Sequence, residues 1–273
     1  MSGSIIVGVV WLAAVVGAAA GVIVWLPQAR SYDVCSAGWA KVGRAADGAV
    51  EHVGRIGTAA VAILAGWAWA IVTCWVLGLL AHRLETSVDR PVFDWFAARQ
   101  NHGWTQIWLQ LTQLGNRPQT QALTVLGAVV FALLARRGRW WIPLTVLPTA
   151  YLMEKFGGQI LKLVVHRGHP PTSLGTWVSG GCARLIVVYG LVIFLGLRWR
   201  RVQSRRVKVA GWSALAFLAA VEAYSRTYLL KHWVTDVAGG LVFGTMVLVV
   251  AIVAIQVLDR PHPRSPDRPA RLL

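Results

Sequence analysis

Seven stretches of the chain are dominated by apolar residues over about the length a helix needs to cross a bilayer: roughly 4–26, 57–81, 119–136, 140–165, 183–199, 207–229 and 237–257. They use up the hydrophobic mass of the sequence, so no separate soluble domain is left, and no internal repeat is visible. Between the second and third runs, residues 82–118 follow another pattern. Phe93, Trp95 and Phe96, then Trp104, Ile107, Trp108, Leu111 and Leu114, recur as on an amphipathic helix lying on a membrane surface. Asp89-Arg90-Pro91 opens that segment and Gly115-Asn116-Arg117-Pro118 closes it. The polar segment 27–56 has room for a short interfacial helix. The pattern predicts an all-α, polytopic membrane helix bundle of about seven transmembrane helices. The first run follows Met-Ser-Gly-Ser, without the positive n-region of a secretory signal, and is long for a signal core. It is expected to be a retained helix with its N-terminus outside, with a cleaved signal as the alternative.

Composition agrees with this reading. The 273 residues are 56% hydrophobic and only 14% charged, far too apolar for a soluble domain of this size. A net charge of +16 raises the question of nucleic acid, but its distribution answers otherwise. Arg30, Lys41, Arg44 and Arg55 lie between the first two runs. Arg136, Arg137 and Arg139 lie between the third and fourth. Arg198, Arg200, Arg201, Arg205, Arg206 and Lys208 lie between the fifth and sixth, and Arg260, Arg264, Arg268 and Arg271 lie in the tail. This alternation is the positive-inside bias. It places segments 162–182 and 225–236 together on the outer side. The partners expected are the bilayer and a membrane lipid, not nucleic acid; the oligomeric state is left open. Cys35, Cys74 and Cys182 have no metal or disulfide spacing and read as small apolar fillers.

The chemistry concentrates in Ser225–Asp236. Were the segment around His232 helical, His232 and Asp236 would share a face at i and i+4. The carboxylate would then orient one ring nitrogen and leave the other free to attack. Arg226 offers a planar fork for two phosphate oxygens. Glu222, one turn earlier, is placed to hold Arg226, and Lys231 adds charge beside the histidine. Upstream, Glu154 and Lys155 interrupt an apolar run and are expected to face the bundle interior.

The spacing Ser225-Arg226, five residues, His232, three residues, Asp236 resembles the third signature of the type-2 phosphatidic acid phosphatase superfamily, membrane lipid phosphatases related to vanadium haloperoxidases. The first signature of that family, a lysine, six residues and Arg-Pro, is met by Lys162 and Pro170, with His169 where the arginine stands. Arg167 is the nearest guanidinium. The second, Pro-Ser-Gly-His, is met by Ser179 and Gly180, while Gly181 replaces the histidine that protonates the leaving oxygen in the family. Arg184 follows one turn later.

The resemblance implies a six-helix phosphatase-type core over 57–257, preceded by an extra transmembrane helix and cytoplasmic linker at 1–56 and followed by a basic, disordered cytoplasmic tail at 258–273. It implies a cell-membrane lipid phosphatase with its active site outside and no cofactor or metal. His232 is the nucleophile and Asp236 its orienting acid. Lys162, Arg167, Ser179, Gly180 and Arg226 hold the phosphate, supported by Glu222, Ser225, Arg184 and His166. Three answers to the missing acid stand open: His169 or His166 supplies it; a diphosphate ester, with its good leaving group, does not need it; or turnover is lost and binding kept. The second favours polyprenyl diphosphate. The alternatives are a catalytically impaired lipid-phosphate binder and a lipid phosphotransferase.

Overall fold

The computed structural model describes residues 33–135, 139–173 and 175–259. Its long helices follow the apolar runs. Helix α1 (Asp33–Arg83) bends at Gly54, where φ is 73°, a left-handed conformation that suits glycine. The helical turns before that bend fall in the segment expected to hold an interfacial helix. A π-helical turn (Glu85–Asp89) leads into α2 (Arg90–Ala97). Then come α3 (His102–Leu111), a 3₁₀ turn (Thr112–Gly115), α4 (Arg117–Leu134), α5 (Trp141–Val165), α6 (Gly180–Trp199), α7 (Arg205–Tyr228) and α8 (Val234–Leu258). No strand occurs among the described residues.

Four described helices are long and apolar enough to cross a membrane: 52–83 of α1, α6, α7 and α8. The expected spans 119–136 and 140–165 are helices as well, but α4 begins with a polar turn and α5 carries Glu154, Lys155 and Lys162. The expected first span, 4–26, lies outside the described residues, as does most of the tail.

The surface helix expected over 82–118 is broken in two. Asn101 adopts an extended conformation and its side chain accepts from the amides of Gly103 and Trp104, capping a new helix. Phe96, Trp108, Tyr224 and Tyr228 form an aromatic cluster that docks these short helices on α7. Trp104 and Ile107 point outward.

Helix α8 is apolar all round and forms the buried centre of the bundle, with Phe243, Leu241 and Ile255 enclosed. Close packing sets the site's geometry. A Cβ on Gly240 would lie 2.4 Å from the Ser179 carbonyl, and one on Gly244 2.7 Å from that of Ala183. Two glycines one turn apart thus bring α8 against the start of α6. The segments after α5, before α6, after α7 and before α8 meet at one end, beside α2 and α3. The other end is tied by Arg139 and Arg198, which share the Asp259 carboxylate.

Candidate active site

His232 lies in the bend before α8, not on a helix, which corrects the i, i+4 argument. The pair meets by another route. Asp236 occupies the third position of α8 and its Oδ2 accepts from the Trp233 amide at 3.2 Å, a helix-start cap. This turns the chain back so that His232 Nδ1 lies 3.7 Å from Asp236 Oδ2. That is ion-pair range and longer than a hydrogen bond, and Nδ1 has no other partner among the described residues. The loop before α6 lies on the ring. A Cβ on Gly175 would sit 2.0 Å from the Lys231 carbonyl and 2.9 Å from His232 Nδ1, so only glycine lets the backbone pass so closely. Thr172 fastens the loop by donating to the Leu230 carbonyl at 2.8 Å.

The remaining Asp236 oxygen, Oδ1, accepts from Arg167 Nη1 at 2.8 Å. Arg167 also donates to Thr235 Oγ1 at 2.6 Å and is ion-paired with Asp89 from the π-helical turn. Asp89 in turn accepts from the Thr235 amide at 3.0 Å. The side chains of Arg167, Asp89 and Asp236 are wholly enclosed. Burial pushes the Asp89 carboxyl up to about 6, with Arg167 and the Thr235 hydrogen bonds opposing the rise and Asp236 adding to it.

A second arginine cluster adjoins the start of α6. Arg226 donates Nε to Glu222 Oε1 at 2.7 Å, and Nη2 to Asn116 Oδ1 at 2.7 Å and the Thr112 carbonyl at 3.3 Å. Its guanidinium lies over Gly181, where a Cβ would be only 2.5 Å from Nη2. Arg184 reaches from α6 to the Gly115 carbonyl at 3.3 Å and to Glu154 at 3.5 Å. Ser179 ties the two clusters together, its amide donating to the Asp236 carbonyl at 2.9 Å.

Residues 139–260 match the family model of the PAP2 superfamily. Over those residues the chain is similar to the PAP2 superfamily. Its fold is similar to that in the crystal structure of the first transmembrane PAP2-type phosphatidylglycerolphosphate phosphatase from Bacillus subtilis. The TM-score is 0.60 at 19% identity, over 70% of this chain and 98% of that one. No curated protein matches the sequence.

Against the PAP2 signatures, the structure sorts the sequence candidates. It brings together His232, Asp236, Gly180, Arg226 and Glu222 around the junction of α6 and α8. Arg167 is corrected: it faces Asp89, Thr235 and Asp236 rather than an open site, because two buried carboxylates claim its fork. Ser179 is corrected in part: it stands at the start of α6, but its hydroxyl is buried and points to Cys182 Sγ at 3.5 Å. Ser225 is buried and bonds the Glu222 carbonyl, so it supports the helix. Lys162 is exposed and makes no ion pair among the described residues. His166 is exposed and ends α5 in a left-handed conformation. His169 bonds the Pro170 carbonyl at 2.9 Å through Nδ1; neither histidine hydrogen-bonds His232 among the described residues. Of the two charges within the apolar run of α5, Glu154 is buried as expected and Lys155 only half-buried. Lys231 is half-buried, and burial followed by the nearby Arg226 lowers its proton affinity. Cys74 and Cys182 are buried, free thiols. No group of three or more metal-type ligands occurs among the described residues.

Sequence reasoning missed Asp89, Asn116, Thr235 and Gly175. Thr235 sits inside the third signature, and Asn116 and Asp89 flank helix starts, so each carried a local signal of another kind. None carried a signal of its partner in space.

Proposed function

We propose that this membrane protein is a lipid phosphatase that cleaves a lipid-linked phosphate or diphosphate at the outer face through a phosphohistidine at His232. The observation that carries the reading is the backing of His232 by Asp236, together with the start of α6, which has no side-chain cap, and the Arg226 guanidinium over it. The far ring nitrogen, Nε2, attacks the terminal phosphorus, whose bond to the leaving oxygen breaks to release lipid monophosphate from a diphosphate or lipid alcohol from a monophosphate; water then cleaves the phosphorus–nitrogen bond and releases inorganic phosphate. Asp236 steadies the ring as it becomes cationic; separations of this kind shorten when substrate binds. Gly180 and Gly181 offer amides at a helix N-terminus, where an anion is favoured. Arg226 adds a guanidinium.

Gly181 bears on the substrate. The space a histidine would need is filled by Arg226, so no side chain from this position protonates the leaving oxygen. A phosphate monoester leaves without that help far better than an alkoxide does. Polyprenyl diphosphate is therefore favoured over phosphatidic acid. The phosphatase unit is taken as residues 57–257.

The same filling of the site by Arg226 supports a second reading, a lipid-phosphate binder or a phosphotransferase. The test is phosphate release by purified protein in detergent, with polyprenyl diphosphate and phosphatidic acid compared and His232→Ala as control. Release from the diphosphate that falls at least about 10³-fold in the variant supports the proposal. No release from either lipid, with lipid phosphate still bound, moves the assignment to the binder. A trapped phosphohistidine that breaks down only with added alcohol moves it to the transferase.

A further inference from the structure

At the end of the bundle away from His232, a cavity of about 740 Å³ opens between α4, α5, α6, α7 and α8. It runs along α8 from Thr245 to the cap residue Asp259, fourteen helical rises or about 21 Å. Its walls are mainly apolar, with Phe131, Phe194, Leu248, Val249 and Ile252 among them. Its mouth is not. Arg139, Arg198, Arg201 and Lys208 line it with one carboxylate, Asp259. Arg139 and Arg198 both spend charge on Asp259. Arg201 and Lys208 make no ion pair among the described residues. Arg201 is exposed and takes a left-handed backbone conformation, φ 49°, just past α6.

We infer that this cavity binds one anionic phospholipid, with an acyl chain along α8 and the phosphate headgroup on Arg201 and Lys208. Three observations support that occupant over others. The volume falls in the range of small-molecule sites. The apolar depth continues into a basic mouth, the layout of an amphiphile with a negative head. The mouth lies at the end where the positive-inside bias puts the basic loops, so it meets the headgroups of one leaflet. The site is distinct from the phosphatase site, which lies at the other end of the same helices. A lipid wedged between α4 and α8 would brace the bundle without being a substrate.

The test uses the full-length protein in detergent with equimolar phosphatidylglycerol and phosphatidylethanolamine of matched chains, and reads retained lipid by native mass spectrometry. The wild type is expected to retain one phosphatidylglycerol in preference to phosphatidylethanolamine by about tenfold or more. Arg201→Gln with Lys208→Gln should abolish that preference, and Val249→Trp, which obstructs the cavity alongside α8, should abolish retention of both. Equal retention of the two lipids by the wild type would overturn the proposal. So would unchanged preference in the double variant, or unchanged retention in Val249→Trp. Thermal melting identifies a variant that has unfolded. If Val249→Trp unfolds, the double variant at the mouth decides alone.

Discussion

Arg167 and Arg226 both come from signature segments, both are buried, and both bond through their guanidinium nitrogens, yet their surroundings differ in kind. Arg167 is clasped by two carboxylates, Asp89 and Asp236, with its side chain wholly enclosed. Arg226 has one carboxylate, Glu222, and otherwise meets the neutral oxygens of Asn116 and Thr112, with its side chain 9% exposed. An incoming phosphate would have to displace a carboxylate at Arg167. At Arg226 it needs only to displace an amide or a carbonyl. On the proposed function, Arg167 is therefore a brace for Asp236 behind His232, and Arg226 is the arginine available to substrate.

The largest effect expected from this contrast is on stability. Arg167→Ala strands two buried carboxylates and should cost about 3–5 kcal/mol, read as a drop in the detergent denaturation midpoint. Adding Asp89→Asn removes one stranded charge and should recover part of the loss. The contrast would break if Arg167→Ala left stability intact and only raised KM, since Arg167 would then be a phosphate ligand.

Neutralising the other pair should act on turnover instead. Glu222→Gln with Arg226→Gln removes both charges together, so no orphan is left in the core. The fold is expected to persist, and phosphate release should fall by about 10²–10³-fold, the size of losing one preorganised charge-stabilising donor. An Arg167-like loss of stability with normal kinetics would erase the distinction between the two arginines.

A subtler effect concerns pH. Asp89 lies outside the spans and faces Arg167, Thr235 and Asp236; its carboxyl is raised from 3.8 to about 6. A raised folded value means the native state holds the proton more tightly than the unfolded chain. The contribution of Asp89 to stability is thus fully present below about 3.8 and lost as pH rises through about 6. Asp89→Asn should flatten the stability profile across that window. A profile unchanged in Asp89→Asn would mean that the carboxylate is fully compensated by Arg167.

How much of this was visible beforehand depends on range. The apolar runs marked the described membrane helices, because a buried or lipid-facing helix declares itself locally. Glu222 and Arg226 were paired correctly for the same reason: both sit on one helix, one turn apart. His232 and Asp236 were brought together for a partly wrong reason, since the pair is made by a helix-start cap and not by a shared helix face. Arg167 was misjudged because its partner Asp89 lies 78 residues away. No local pattern tells a guanidinium bound to a carboxylate from one open to phosphate. The long surface helix failed on Asn101, whose side-chain cap outweighed the periodicity around it.

Gly181 gives the smallest and most specific test. A histidine placed there would have the chemistry of the missing acid, but the space is taken: a Cβ at 181 would lie 2.5 Å from Arg226 Nη2 and 2.7 Å from its Cζ. The guanidinium cannot retreat freely, because Glu222 and Asn116 each hold it at 2.7 Å. Gly181→His should therefore lower kcat/KM on the diphosphate by about tenfold or more, the worth of one charge-assisted hydrogen bond. The loss should lie mainly in KM if Arg226 holds the substrate. Asn116→Ala, which loosens the same guanidinium without crowding it, should show a milder loss of the same kind. If Gly181→His instead gained activity on phosphatidic acid, Arg226 would have moved aside and left the new imidazole as the acid. The arginine would then be as replaceable at this position as Arg167 is fixed in its own.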